Sequence, residues 1–167
     1  MPDENATAER VAAAEAELQA CDSVPDVLRR LCRHMVEILG ISASIVSRIV
    51  GEMLVELAAY SRPDVDLKQL GHGYLIADYP QTQDALEHGR PEFVSLDDPD
   101  ADPAEARLLR ELGFDRMLML SLPVEGRPWA LVELYGQGGP DFDDGQARVA
   151  TALAAAAGAA IENAERS

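Results

Sequence analysis

The 167-residue chain is 47% hydrophobic and 26% charged, a balance that supports one domain with a buried core and excludes wholesale disorder. Thirty acidic residues outweigh 14 basic ones, of which Lys68 is the single lysine, and the formal charge of −16 repels phosphate backbones and anionic lipid, so neither nucleic acid nor a membrane is an expected partner. No apolar run approaches the ~20 residues of a membrane span, the polar start MPDENATAER lacks the character of a signal peptide, and Cys21 and Cys32 read as reduced thiols of a cytoplasmic protein.

From about Thr7 to Cys21 the alanine-rich string TAERVAAAEAELQAC contains no glycine or proline and predicts a helix. Val11, Ala14, Leu18 and Cys21 recur at helical steps, a narrow stripe suited to lying against one other helix. A second helix begins near Ser23, which can cap it, with Pro25 in the first turn and Asp26 three residues on. Val24, Val27, Leu28, Leu31, Cys32, Met35, Ile38 and Leu39 give it a wide apolar face that should pack on a sheet, and Gly40 stops it. The period then switches to two. ASIVSRIV (43–50) and MLVELAAY (53–60) flank Gly51-Glu52 and read as an antiparallel hairpin.

A loop of turn residues spans 61–73, and TQDALEHG (82–89) predicts a short helix capped by Thr82 and stopped by Gly89. PEFVSL (91–96) is a strand whose leading proline fits a sheet edge. Asp102 then caps PAEARLLREL, which ends at Gly113. DRMLMLSLPV (115–124) and RPWALVELY (127–135) form a second hairpin around Glu125-Gly126. The last helix runs over about 145–166, with Val149, Leu153, Ala156 and Ala160 as another narrow seam. Hairpin-joined strands interspersed with helices predict an α+β fold with an antiparallel sheet.

This order, together with VLRRLCRHMVEILGISASIVSRIVGEMLVELAAY (27–60), RMLMLSLPVEGRPWALVELYG (116–136) and DDGQARVATALAAAAGAAIENAER (143–166), resembles the GAF domain, a small sensory module of bacterial signalling proteins. The resemblance covers roughly residues 22–165, and its strings are signatures of fold rather than of catalysis. The middle stretch 73–114 resembles GAF modules found beside nucleotide-second-messenger cyclases and histidine kinases. It implies a central antiparallel sheet of five or six strands, with the first long helix and the last helix on one face. The loop-rich middle would cover the other face and enclose a ligand cavity. It further implies pairing through the terminal helices, for which Val11, Ala14, Leu18, Val149, Leu153, Ala156 and Ala160 are the expected homodimer contacts. Residues 1–21 are then an N-terminal extension carrying a dimerisation helix, and 22–166 the GAF-like domain with its C-terminal signalling helix.

Chemistry is sparse. His34, His72 and His88 are the only histidines, none spaced from another as metal ligands on one helix face, so no metal is expected. GAF-fold enzymes that reduce free methionine sulfoxide, and modules that attach a bilin, need a cysteine in the ligand-side loops. Here both cysteines precede the first strand. Haem through His72 or His88 would want more aromatic lining than eight aromatics supply, and both histidines fit a turn or a helix end. The Asn-Lys-Phe-Asp-Glu signature of cyclic-nucleotide members and the glycine-rich phosphate loops are absent. Arg48 and Arg90 are the best anion anchors, against the plainer reading of surface arginines paired with abundant acids. No cofactor is expected.

A cavity remains as the place for function. Arg48, Tyr60, Ser121 and Glu133 are polar or aromatic positions in otherwise apolar strands, and His72, Tyr74, Tyr79, His88 and Phe93 lie in the segment expected to cover them. These nine are the candidate ligand-binding residues. Glu133 interrupts WALVELY and could take a donor from a ligand; the plainer reading has it facing solvent or pairing with Arg48 or Arg116 on a neighbouring strand. The leading expectation is a non-catalytic sensory module that relays a small-molecule or conformational cue to an output domain, such as a diguanylate cyclase or a histidine kinase. The alternative is a ligand-free dimerisation or interaction module with a self-filled core. A polar pocket under residues 72–95 favours the first, and a packed apolar interior there favours the second.

Overall fold

The computed structural model describes residues 4–67 and 73–166. Helix α2 (Val24–Leu39) starts where Ser23 accepts the Asp26 amide and ends at Gly40, whose φ of 66° is left-handed. Between these stops its apolar face buries Val27, Leu28, Leu31, Cys32, Met35 and Val36. Each such leucine withdrawn from water contributes roughly 1.5–3 kcal/mol, so this helix anchors one layer of the molecule.

The surface it packs on is a six-stranded sheet of β1 (Ala43–Val50), β2 (Met53–Ser61), β3 (Gly73–Leu75), β4 (Glu92–Ser95), β5 (Arg116–Val124) and β6 (Arg127–Gly136). The strand order is β3-β2-β1-β6-β5-β4, with every neighbouring pair antiparallel. Side chains alternate between two separate cores. Leu118, Leu120 and Leu122 of β5 and Ala130, Val132 and Leu134 of β6 face α1 (Glu4–Gln19), α2 and α5 (Asp144–Arg166). Met117 and Met119, with Leu131 and Tyr135, face the opposite layer. That cover consists of a 3-10 turn (Ile76–Asp78), α3 (Pro80–His88) and α4 (Pro103–Leu112). The expected α+β architecture and both hairpins are present. Among the described residues no helix is long and apolar enough to cross a membrane.

Three local expectations are corrected. The stretch expected as loop ends in β3, which pairs through Gly73 to Leu75 with β2. Three residues are too few to show a period. Helix α3 starts at Pro80 after Tyr79, two residues earlier than expected, so Thr82 sits inside the first turn and its hydroxyl is free to act elsewhere.

The third correction concerns the two narrow seams. Ala14, Leu18, Leu153, Ala156 and Ala160 are all buried within the single chain, and Val11 and Val149 pack against the same core. The stripes face each other and the sheet instead of a second protomer, because α1 and α5 are neighbours on one sheet face. Gln19 Nε2 marks the contact by donating to the Ala156 carbonyl at 3.1 Å. Helix α1 thus packs as part of the helix layer.

The closeness of α5 to the sheet explains a glycine inside an alanine-rich helix, where glycine costs about 1 kcal/mol relative to alanine. A Cβ on Gly158 would lie 1.9 Å from the Pro123 carbonyl oxygen, a backbone atom that cannot yield cheaply. Gly158→Ala should therefore destabilise by about 1–3 kcal/mol or more through overpacking. Leu153→Ala should cost about 2–5 kcal/mol through the cavity it leaves. Urea unfolding followed by circular dichroism checks both; a Leu153→Ala variant as stable as the parent would return this residue to an outward face.

Candidate functional site

The cover-side interior gathers side chains from five elements, and the register explains how. Glu133 shares strand parity with Leu131 and Tyr135, so the pleat turns it inward under the cover. It is buried, at 2% exposure. Tyr74, brought in by β3 opposite Leu54, donates to Glu133 Oε1 at 2.8 Å, and Tyr135 donates to Oε2 at 2.6 Å. Met119 lies directly across from Glu133 on β5. Above Met119 the Thr82 hydroxyl approaches its sulfur at 3.2 Å and donates to Glu105 Oε1. Glu105 is wholly buried at 0% exposure, and its Oε2 has no hydrogen-bond partner among the described residues.

Local sequence places these groups. Asp102 caps α4 by accepting the Ala104 and Glu105 amides, which sets the phase of that helix. Ala106 and Leu109 then face the sheet, with Glu105 beside them on the buried side. Tyr79 meets Tyr74 edge-on with ring centroids 5.0 Å apart, and Phe114 stacks on Tyr135 at 5.0 Å. The result is a pair of acids inside an apolar and aromatic shell.

No Lys, Arg or His among the described residues bonds to either carboxyl group. Burial pushes the Glu105 acid up to about 7; the Thr82 hydrogen bond opposes the shift, and the Glu133 and Asp102 carboxylates add to it. Burial raises Glu133 as well, against the lowering effect of the Tyr135 and Tyr74 hydroxyls. Both tyrosine hydroxyls are pushed well above the ordinary range, first by burial and then by the charge of Glu133. Burial followed by the charge of Glu105 raises Tyr79 too.

The candidate residues divide by face. Tyr74, Tyr79 and Glu133 come together, and Ser121, opposite Leu131, shares their face and is half-buried. Glu133 neither faces solvent nor pairs with an arginine, a correction to the plainer expectation. Arg48 lies opposite Ala130 on the helix side, where its guanidinium sits 4.3 Å over the Trp129 ring, and Arg116 bonds to Asp115. Tyr60 likewise packs against the helix-side core, because the β1–β2 pairing sets it opposite Ser44. Phe93, opposite Leu118, points to the helix side at the sheet edge and is 40% exposed. His88 is exposed at the end of α3 with Asp84 and Glu87. These four are outside the cover-side cluster, and His72 lies outside the described residues.

Glu105, Thr82, Tyr135 and Met119 were not among the candidates. Tyr135 was reachable by counting two from Glu133. Glu105 stands in the first turn of α4, where an acid is ordinary, and its i, i+4 relation to Leu109 is the signal that puts it on the apolar face. Both cysteines are off this cluster: Cys32 is buried under α2 with its thiol pushed up to about 12 by desolvation, and Cys21 follows α1. A cleft of about 570 Å³ flanks the cluster between the β1–β2 turn and α3, lined by Ile49, Glu52, Ile76, Gln83, Leu86 and Pro128.

A two-sided antiparallel sheet with terminal helices on one face and a lid of short helices on the other defines a three-layer α+β domain. The sequence model described as "GAF domain" matches residues 21–162, and the chain belongs to the GAF domain family. No curated protein matches the sequence. Among solved structures, a bacteriophytochrome from the photosynthetic bacterium R. palustris is 12% identical, with a TM-score of 0.85 over 99% of this chain and 40% of that one. The chromophore-binding domain of Stigmatella aurantiaca phytochrome P1 is 14% identical, with a TM-score of 0.77 over 92% of this chain and 59% of that one. The phycocyanobilin-bound GAF domain of a cyanobacterial phytochrome is 10% identical, with a TM-score of 0.81 over 96% of each. These likenesses are of fold. The chain spans about 40% of the length of the R. palustris bacteriophytochrome.

The raised Glu105 acid makes stability depend on pH with a definite sign. The folded chain holds a proton that the unfolded chain releases near the ordinary value of 4.5, so this group's contribution is full below pH 4.5 and is lost as pH rises toward about 7. The loss is on the order of 3 kcal/mol. Glu105→Gln should remove it, leaving the variant more stable than the parent at pH 8 and less distinguishable at pH 4.5. Urea midpoints of both proteins across this range check the sign.

Proposed function

We propose that this chain is a non-catalytic, cytoplasmic sensory module that binds a small molecule on the cover side of its sheet and passes the occupancy to an output domain. The observation that carries the reading is the buried pair of acids, Glu133 and Glu105, held under the lid with one carboxyl oxygen of Glu105 unpartnered among the described residues. A buried acceptor left without a donor is a cost that a purely structural core avoids. The bilin-bound GAF domain of similar fold adds support for ligand binding on such a scaffold. The positions of Cys21 and Cys32 speak against a covalently held bilin here, since neither is near the cluster.

Coupling would run through the lid. Ligand under α3 and α4 shifts their set on β5 and β6, and β5 is the strand against which Gly158 locks α5. A cyclase or a histidine kinase attached beyond α5 is the output this layout suits. Homodimerisation is part of the same proposal, now through the outward surface of the terminal helices. Ala152, Ala155 and Ala159 on α5 are exposed, as are Ala12, Ala13 and Ala16 on α1.

The packed remainder of the cover side, with Leu54, Leu109, Met117 and Leu131 all at 0% exposure, favours the second reading, a ligand-free interaction module. Native mass spectrometry separates the two. A sensor purified under mild conditions should carry a small molecule that is lost on unfolding, whereas a chain of bare mass under all conditions supports the scaffold. Dimerisation is checked by sedimentation: Ala155→Arg should convert a dimer to a folded monomer, and a parent chain that sediments as a monomer at tens of micromolar removes the dimer from the proposal.

A further inference from the structure

Resting on the small-molecule reading, we propose that the cover-side interior takes a small organic cation, a primary amine or an amidinium, whose N–H groups bridge the carboxylates of Glu105 and Glu133.

The donor set dictates the chemistry. Glu105 is fully buried, offers Oε2 with no hydrogen-bond partner among the described residues, and accepts the neutral Thr82 hydroxyl on Oε1. Glu133, also buried, receives two neutral phenols, one on each oxygen, and each oxygen can accept a second donor. Glu133 rises from β6 and Glu105 reaches from α4 toward the same face of the sheet. Thr82 bridges Glu105 to Met119, and Met119 stands directly opposite Glu133, a separation of about 5 Å between the Cβ atoms of such a pair. Among the described residues this interior has no positive charge and fewer donors than acceptor sites, and a ligand supplies what its site lacks.

Other ligand classes fit less well. An anion would meet two acids and no basic side chain among the described residues. A divalent metal ion wants six or more oxygens at close range, whereas the two carboxyl groups offer four, three of which already accept a hydroxyl from Thr82, Tyr74 or Tyr135. An amine or amidinium satisfies several acceptors at once. The rings around the cluster, Tyr74 edge-on to Tyr79 and Tyr135 stacked on Phe114, suit a cation further.

Access fits the same helix. Gln83 and Leu86 of α3 line the 570 Å³ cleft while Thr82, their neighbour, holds Glu105. Displacing α3 toward solvent would join cleft and acids. A bound cation would take the place of the proton held by Glu105, whose surroundings include Asp102 on the same helix, Glu133 on β6, and the Tyr74 and Tyr79 hydroxyls.

The test uses the full chain with methylammonium, putrescine and agmatine, and with 1,4-butanediol and succinate as neutral and anionic counterparts, in thermal-shift and calorimetric titrations. At least one amine should raise the melting temperature by several degrees and bind, with both diol and diacid inert. Affinity should strengthen as pH rises from 6 to 8, because Glu105 must lose its proton while the amine, near 10.4 in its ordinary value, keeps its charge. Glu105→Gln, checked as folded by circular dichroism, should weaken binding at least tenfold and flatten that pH dependence, and Glu133→Gln should weaken it in the same direction. Three results overturn the proposal: no amine binding at any pH, amine binding unchanged in Glu105→Gln, or equal binding of the uncharged diol. A neutral or anionic molecule found by native mass spectrometry, with all three amines inert, would remove the cation while leaving the sensory reading intact. A chain of bare mass with all amines inert would remove both.

Discussion

A sheet covered on both faces sets the terms for everything else in this molecule. Each strand must deliver alternate residues to two unlike cores, one against three helices and one against a lid of short elements. β6 shows how strictly this operates: Ala130, Val132 and Leu134 go to the helices, and Leu131, Glu133 and Tyr135 go under the lid. A shift of one residue would carry Glu133 into the helix-side core, where it would meet Leu118, Leu120 and α5 with no donor for its carboxyl. The central β1–β6 pairing and the long β5–β6 hairpin resist that shift.

The two cores differ in kind. On the helix side the fit is close enough that α5 presents Gly158 to the Pro123 carbonyl, and its small alanines let the helix approach the sheet. Under the lid the residues are larger and include Met117, Met119, Phe114 and Tyr135, with two acids enclosed among them. The lid itself is short-ranged: α3 has 9 residues and α4 has 10, each fixed by an N-terminal start and a glycine stop. Two short helices, joined to each other by the Thr82–Glu105 hydrogen bond, have fewer contacts to lose than a 23-residue helix packed on a strand. Polarity and short helices thus coincide on one side of the sheet.

Local sequence signals determined much of this protein. The hairpin turns at Gly51 and Gly126, the caps at Ser23 and Asp102, and the apolar face of α2 depend on neighbours within a few residues, so the chain states them outright. The α+β class and membership of the GAF domain family follow from the order of those elements. Tyr74, Tyr79 and Glu133 were also legible, because a polar or aromatic residue in an apolar strand or its cover stands out by itself. What tertiary structure decided is which face each residue meets. Arg48, Tyr60 and Phe93 went to the helix side because strand pairing, with a bulge between Val46 and Ser47 on the β1–β2 side, sets parity across the sheet. The seams of α1 and α5 turned inward because two helices lying side by side on one sheet bury the stripes that would otherwise have met a second protomer. Glu105 joined Glu133 because α3 and α4 fold over the same strand, bringing together residues 28 positions apart in the chain. Periodicity marks the apolar face of a helix, but only packing decides what that face meets.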